Sequence, residues 1–146
     1  MTQTNQKYEL LENDTVTTPS GRVLKRIRAL VAIGSLVAAG ELGGYIESEA
    51  NLDCDGDAWV SGNARVSGDA RVEQCTDLFW ISIIGSENGT YTAFKNKDGG
   101  ILVNRGCFSG TLEEFKDAVN KHHEGKFNQE YQLVIELTKL RLGQQV

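Results

Sequence analysis

The segment "GDAWVSGNARVSGDARVE", Gly56 to Glu73, repeats one pattern every six residues: glycine, a small polar residue, alanine, a variable residue, valine and a variable residue. Side chains repeat every two residues along a strand and every 3.6 along a helix. A period of six is a multiple of the first and not of the second. It suits a short strand followed by a corner, with glycine supplying the left-handed backbone that the corner needs. With valine as the anchor, the frame runs past the obvious repeats through Leu36, Leu42, Ser48, Cys54, Val60, Val66, Val72 and Leu78. Two residues before the anchors stand Gly40, Ile46, Leu52, Ala58, Ala64, Ala70 and Thr76. Both columns are apolar or small almost throughout.

These columns resemble the hexapeptide repeat of left-handed parallel β-helices, and the resemblance covers Leu36 to about Asp77. In that family three hexads close one triangular coil of about eighteen residues, and coils stack at the strand spacing of about 4.8 Å. The resemblance implies that anchors fill the prism. It also implies that residues one coil apart lie above one another: Leu42 on Val60 and Leu78, Leu36 on Cys54 and Val72, Glu47 on Arg65, and Asp53 on Arg71. Trp59 and Ser67 then point outward. Ser48 and Cys54 at anchor positions imply a looser first coil. So few coils leave two open ends, which flanking segments or another subunit must cover.

Upstream, Pro19-Ser20-Gly21 is a turn, and Arg22 to Val31 alternates as a strand does. A β-hairpin cap is expected there. Downstream, "DLFWISII", "TYTAFKN" and "ILVNR" are strand-like and joined by Asn88-Gly89 and Asp98-Gly99-Gly100, which predicts a three-stranded antiparallel meander. Thr111 and Glu114 form a capping box before an amphipathic helix with Leu112, Phe115, Ala118 and Val119 on its apolar face. A second helix, about Asn128 to Leu142, is apolar on more than half its circumference and needs cover on two sides. The expected fold is mainly β with a C-terminal α+β part. A hairpin cap (1–35) precedes a short left-handed parallel β-helix (36–77), and a meander with two helices (78–146) follows.

The formal net charge of −5 excludes the overall basic footprint of a nucleic-acid binder. Arg22, Lys25, Arg26 and Arg28 read as a solvated strand face. The three cysteines, Cys54, Cys75 and Cys107, are odd in number and lack zinc spacing, which fits a reducing compartment. The polar, acidic N-terminus is no signal peptide. The apolar run Ala29 to Gly40 is shorter than the about 20 residues of a membrane span. A cytoplasmic protein without membrane attachment is expected.

The whole arrangement resembles small phage- and prophage-encoded proteins, hypothetical or polymer-forming. The matching stretches are Tyr8 to Leu10, Arg26 to Leu30, Leu42 to Leu52, Gly56 to Val72 and Gly85 to Phe115. The resemblance implies a phage context, in the cytoplasm of an infected bacterial host, and no mechanism. Hexapeptide acyltransferases place a histidine on a coil, and the related carbonic anhydrases hold zinc with three. Here His122 and His123 are adjacent at a helix end, about 100° apart around the axis, and no histidine lies on the repeats. No catalytic residue, cofactor or metal is expected. Asp53, Asp55 and Asp57 are split between faces by strand alternation, and Cys107 reads as an ordinary loop cysteine.

Glu41, Glu47, Glu49, Asp53, Asp55 and Asp57 crowd one segment without an intervening base. With Tyr45 and Trp59 beside them they are the expected recognition face for a basic or nucleic-acid-handling host protein, without direct nucleic-acid contact. A second surface, Phe127, Tyr131, Leu133, Val134 and Leu137, is the expected homo-oligomer interface, dimer before trimer. The expected function is that of a non-catalytic binding protein, in its concrete form an inhibitor of host defence in the manner of anti-CRISPR proteins. The alternatives are a structural oligomeric module of a phage particle, a hexapeptide-type acyltransferase, or a small-nucleotide sponge.

Overall fold

A computed structural model describes residues 5–18, 20–35, 37–106 and 108–142. Pro19, Leu36 and Cys107 therefore lie outside the described residues, and with them the expectations placed on the turn proline, the first anchor and the loop cysteine. Two four-stranded sheets and two helices make up the fold. The first sheet holds β1 (Tyr8–Thr17), β2 (Val23–Ala29), β3 (Leu42–Ile46) and β4 (Arg65–Val66) in that spatial order. The second holds β5 (Leu78–Ile84), β6 (Gly89–Lys95), β7 (Ile101–Arg105) and β8 (Phe108–Thr111), all antiparallel. The meander thus gains a fourth strand. Helices α1 (Leu112–His122) and α2 (Gly125–Arg141) follow, α2 starting earlier than the periodicity places it.

The expected left-handed parallel β-helix is not what forms. Among the described residues, parallel pairing joins β3 with β4 and forms the bridge Leu52–Val72. Tyr45 lies beside Arg65, Ile46 beside Val66 and Leu52 beside Val72, a constant offset of twenty residues rather than eighteen. The reason lies in the upstream anchors. Ser48 and Cys54 offer little apolar surface, so the chain turns Ile46 and Leu52 inward instead and leaves Leu42 51% exposed. Burial favours the larger aliphatic side chain by roughly 25 cal/mol per Å² of apolar surface. From Ala58 on, the hexads behave as the period requires. Ala58, Val60, Ala64, Val66, Ala70 and Val72 are all buried, and Gly56, Gly62 and Gly68 turn the corners at φ of 73°, 59° and 66°.

No further coil can close, because other elements take the free edges. The β1–β2 hairpin pairs antiparallel with β3, so it widens the sheet rather than capping a prism. On the far side Ala70 bridges antiparallel to Asn96, while the Arg71 and Lys97 amides donate to the carbonyls of Lys95 and Asp69. The buried Asn51 side chain fills the remaining gap. It accepts from the amides of Glu47 and Ser48 and donates to the carbonyls of Gly68 and Ala70. Gly44 lets the layers meet, since a Cβ there would stand 2.5 Å from the Ala64 carbonyl oxygen.

The basic run of β2 is neutralised strand by strand. Lys25 pairs with Glu12 at 2.9 Å, Arg26 with Asp14 at 2.7 Å, and Arg28 with Glu9 directly opposite.

Strand β6 shows how the two halves become one body. Tyr91 and Ala93 on one face enter a core with Val103, Phe115, Tyr131 and Ile135 under the helices. Phe94 on the other face enters the core of Ile27, Ile46, Leu52, Val60, Val66 and Val72. Strand β6 is therefore covered on both faces. The α1 capping box forms as its sequence requires: the Glu114 amide donates to Thr111 Oγ1 at 3.1 Å, and the Thr111 amide to Glu114 Oε1 at 2.9 Å.

Candidate functional site

The acidic segment is less free than its sequence suggests. Arg22 Nη1 donates to both oxygens of Glu47, at 2.8 and 3.1 Å, and the Gly68 amide donates to Glu47 Oε1. The expected stacking of Glu47 on Arg65 and of Asp53 on Arg71 is thereby overturned. In the observed register Tyr45 neighbours Arg65, and Arg71 pairs with Glu73. Lys7, almost fully buried, donates from Nζ to the carbonyls of Asp53 and Asp55 at 2.9 and 3.2 Å. Burial lowers its pKa, and the nearby carboxylates of Asp53, Asp57 and Asp55 work against that shift. Glu41 caps the Ala38 amide, and Glu49 accepts from Asn5.

Both aromatic residues of that face are inside the protein. Tyr45 donates to Asp14 at 3.0 Å and accepts from Arg26 at 2.6 Å, with the Arg26 guanidinium 4.4 Å from its ring centre. Trp59, expected to point outward, packs edge-to-face on Tyr8 at 6.4 Å, and its buried Nε1 has no partner. Strand alternation does aim Trp59 away from the valine column, but the hairpin lies over it. Ser67 is buried as well, where Asn104 Nδ2 reaches it at 3.3 Å. What stays exposed of the face is Glu41, Glu49, Asp55 and Asp57. Among the described residues no three His, Cys, Asp or Glu side chains gather as metal ligands.

A cleft of about 600 Å³ lies where the two sheets meet. Arg65 of β4, Thr90 of β6, Asn104 and Arg105 of β7, and Phe108 and Ser109 of β8 line it. The Arg65 backbone is held from both directions: its amide donates to Thr92 Oγ1 at 3.1 Å, and its carbonyl accepts from Asn104 Nδ2 at 2.8 Å. Arg105 donates from Nε to the Tyr131 hydroxyl at 2.6 Å, and its Nη1 lies 3.4 Å from Glu87 Oε1. Its Nη2 is buried with no partner. Burial raises the Tyr131 pKa, opposed by the Arg105 charge. Sequence reasoning gave Arg65 to a stacked ion pair and passed over Arg105. The signal it needed was that Arg65 has Tyr45 and not Glu47 as its strand neighbour, which depends on the true register.

The expected oligomer surface divides in two. Tyr131 and Val134 belong to the chain's own core beneath α2, and Phe127 is half-buried. Leu133 and Leu140 are 72% and 79% exposed, and Leu137 lies between them, also exposed. At spacings of four and three residues these leucines form one stripe on the outer face of α2. Ile83, at the irregularity between Ser82 and Ile84 in β5, is 78% exposed and holds φ at 60°. His123 packs on Tyr131 with ring centres 5.3 Å apart, and His122 is exposed beside it. No helix among the described residues is long and apolar enough to cross a membrane.

No family model, curated protein or solved structure matches the chain.

Proposed function

We propose that this chain is a non-catalytic binding protein that works by occupying another protein, with helix α2 as the contact. The observation that supports this reading is the stripe Leu133, Leu137 and Leu140. Single exposed apolar side chains are ordinary on any surface. Three leucines in helical register are the pattern of a helix laid into a groove. Ile83 is a separate exposed apolar residue, and its β-branched side chain in left-handed backbone costs about 1–2 kcal/mol. Such outliers cluster at working surfaces.

The resemblance to phage proteins makes a host protein the partner. Inhibition of a host defence system is the concrete form. With Tyr45 and Trp59 inside, the acids of the Glu41–Asp57 segment have no aromatic anchor, so the contact moves to the C-terminal helix.

The test uses wild type and Leu133→Glu/Leu140→Glu as baits in bacterial lysate, followed by titration of the purified candidate partner. A partner that binds wild type and not the double variant supports the proposal. A partner that binds both equally, or none at all, rejects it. The same stripe also suits a second copy of this chain about a two-fold axis, the commonest homo-oligomer. Light scattering separates the two: a dimer that the double variant converts to monomer assigns the stripe to self-association.

A further inference from the structure

We propose that the cleft between β4 and the second sheet binds a small phosphomonoester, with Arg65 as its principal anion ligand. The cleft is built from residues outside the α2 stripe, and the arginines differ in their pairing. Arg22, Arg26, Arg28, Arg71 and Arg105 each have a carboxylate within 4.0 Å. Arg65 is half-buried, and among the described residues no Asp or Glu side chain pairs with it, whereas Arg141 stands exposed at the end of α2. Acids are not scarce: the chain has 20 Asp and Glu, and all of them lie among the described residues. A guanidinium drawn partly out of water normally takes a carboxylate or phosphate, which its planar fork fits with two parallel hydrogen bonds.

A second arginine, Arg105, lines the cleft. Arg105 Nη2 is buried without a partner. The one acid near Arg105 is Glu87, at 3.4 Å and with its side chain 76% exposed, a loose pair that an incoming dianion displaces at little cost. Asn63, Thr90 and Ser109 add neutral hydrogen-bonding groups, and Phe108 adds an apolar wall. The volume of about 600 Å³ sits within the roughly 300–1,000 Å³ of small-molecule sites. Two guanidinium groups against one displaceable carboxylate favour a doubly charged phosphate over a singly charged carboxylate. The apolar wall calls for an organic group attached to it. The Arg65 backbone is tied to Thr92 and Asn104, which fixes where its side chain leaves the strand.

The test is an amide NMR titration of the ¹⁵N-labelled full chain with inorganic phosphate and with adenosine 5′-monophosphate, against chloride at matched ionic strength. The expected result is a saturable shift at Arg65, Thr90, Asn104 and Ser109, weakened about tenfold or more in Arg65→Gln. Arg65→Lys, which keeps the charge and loses the fork, is expected to bind between the two and serves if the glutamine variant does not fold. The proposal is overturned if neither probe gives a saturable shift at those amides, if chloride reproduces it, or if the folded Arg65 variants bind as wild type does.

Discussion

Ile46 and Val66 lie side by side in parallel strands, both without solvent exposure, although they occupy different columns of the six-residue repeat. Their pairing fixes the offset of twenty residues between β3 and β4. It also yields a comparison between two positions of similar chemistry. Ile46→Ala empties a closed site and is expected to cost about 2–5 kcal/mol. Leu42→Ala, at a nominal anchor position that stands half exposed, is expected to cost less than about 1 kcal/mol. Urea unfolding of both variants decides the register: a costly Leu42→Ala beside a mild Ile46→Ala would restore the eighteen-residue coil.

How much of this was legible depends on the range of the interaction. The α1 capping box is confined to Thr111 and Glu114, and it forms as read. The corners of the hexads are equally local, with glycine at each and the alanine and valine columns inward. The offset of twenty is different. It depends on a competition between Ile46 or Leu52 and Ser48 or Cys54 for the interior, settled only when the other strand is present. The burial of Trp59 depends on Tyr8, some fifty residues away in the chain. The cleft is further still from sequence, because Arg65 and Arg105 meet only where β4 packs on the second sheet.

Gly44 gives a second test of that packing. A methyl group there meets the Ala64 carbonyl oxygen at 2.5 Å and Val60 Cγ1 at 2.8 Å. The first is backbone, fixed by the amide of Tyr45. Gly44→Ala is therefore expected to destabilise by about 1–3 kcal/mol, as overpacked sites do. Gly89, with open space around it, serves as the control in the same strand-rich fold. Equal midpoints for the two alanine variants would mean that the layers are not in contact at β3.

Tyr91 makes stability depend on alkaline pH. Its hydroxyl lies 2.7 Å from Thr138 Oγ1, and Thr138 spends its own proton on the Val134 carbonyl, so Tyr91 is the donor. Burial pushes the phenol up from 10.0 to about 12. The raised value means that the folded state holds its proton after the unfolded state has begun to lose it. Its contribution is thus complete below pH 10 and is lost as pH rises through about 12. Tyr91→Phe is expected to cost about 1 kcal/mol at neutral pH for the lost hydrogen bond. It should also flatten the decline of stability between pH 10 and 12. Unfolding midpoints of wild type and variant across that range are the measurement, and parallel curves would remove Tyr91 as the source.

Ile83 offers the sharpest link between stability and binding. Its side chain is 78% exposed and its φ is 60°, so the fold carries strain there without burying the residue in return. Asparagine tolerates this backbone region far better than a β-branched residue. Ile83→Asn is expected to raise stability by about 1 kcal/mol, read as a higher urea midpoint at unchanged slope. If the apolar surface of the C-terminal half is a contact, the same substitution weakens partner binding or self-association while the protein becomes more stable. That opposite movement separates a working surface from a packing defect. A variant that is less stable and still binds fully would show that Ile83 is held by contacts of its own, and the strain argument for the surface would fall.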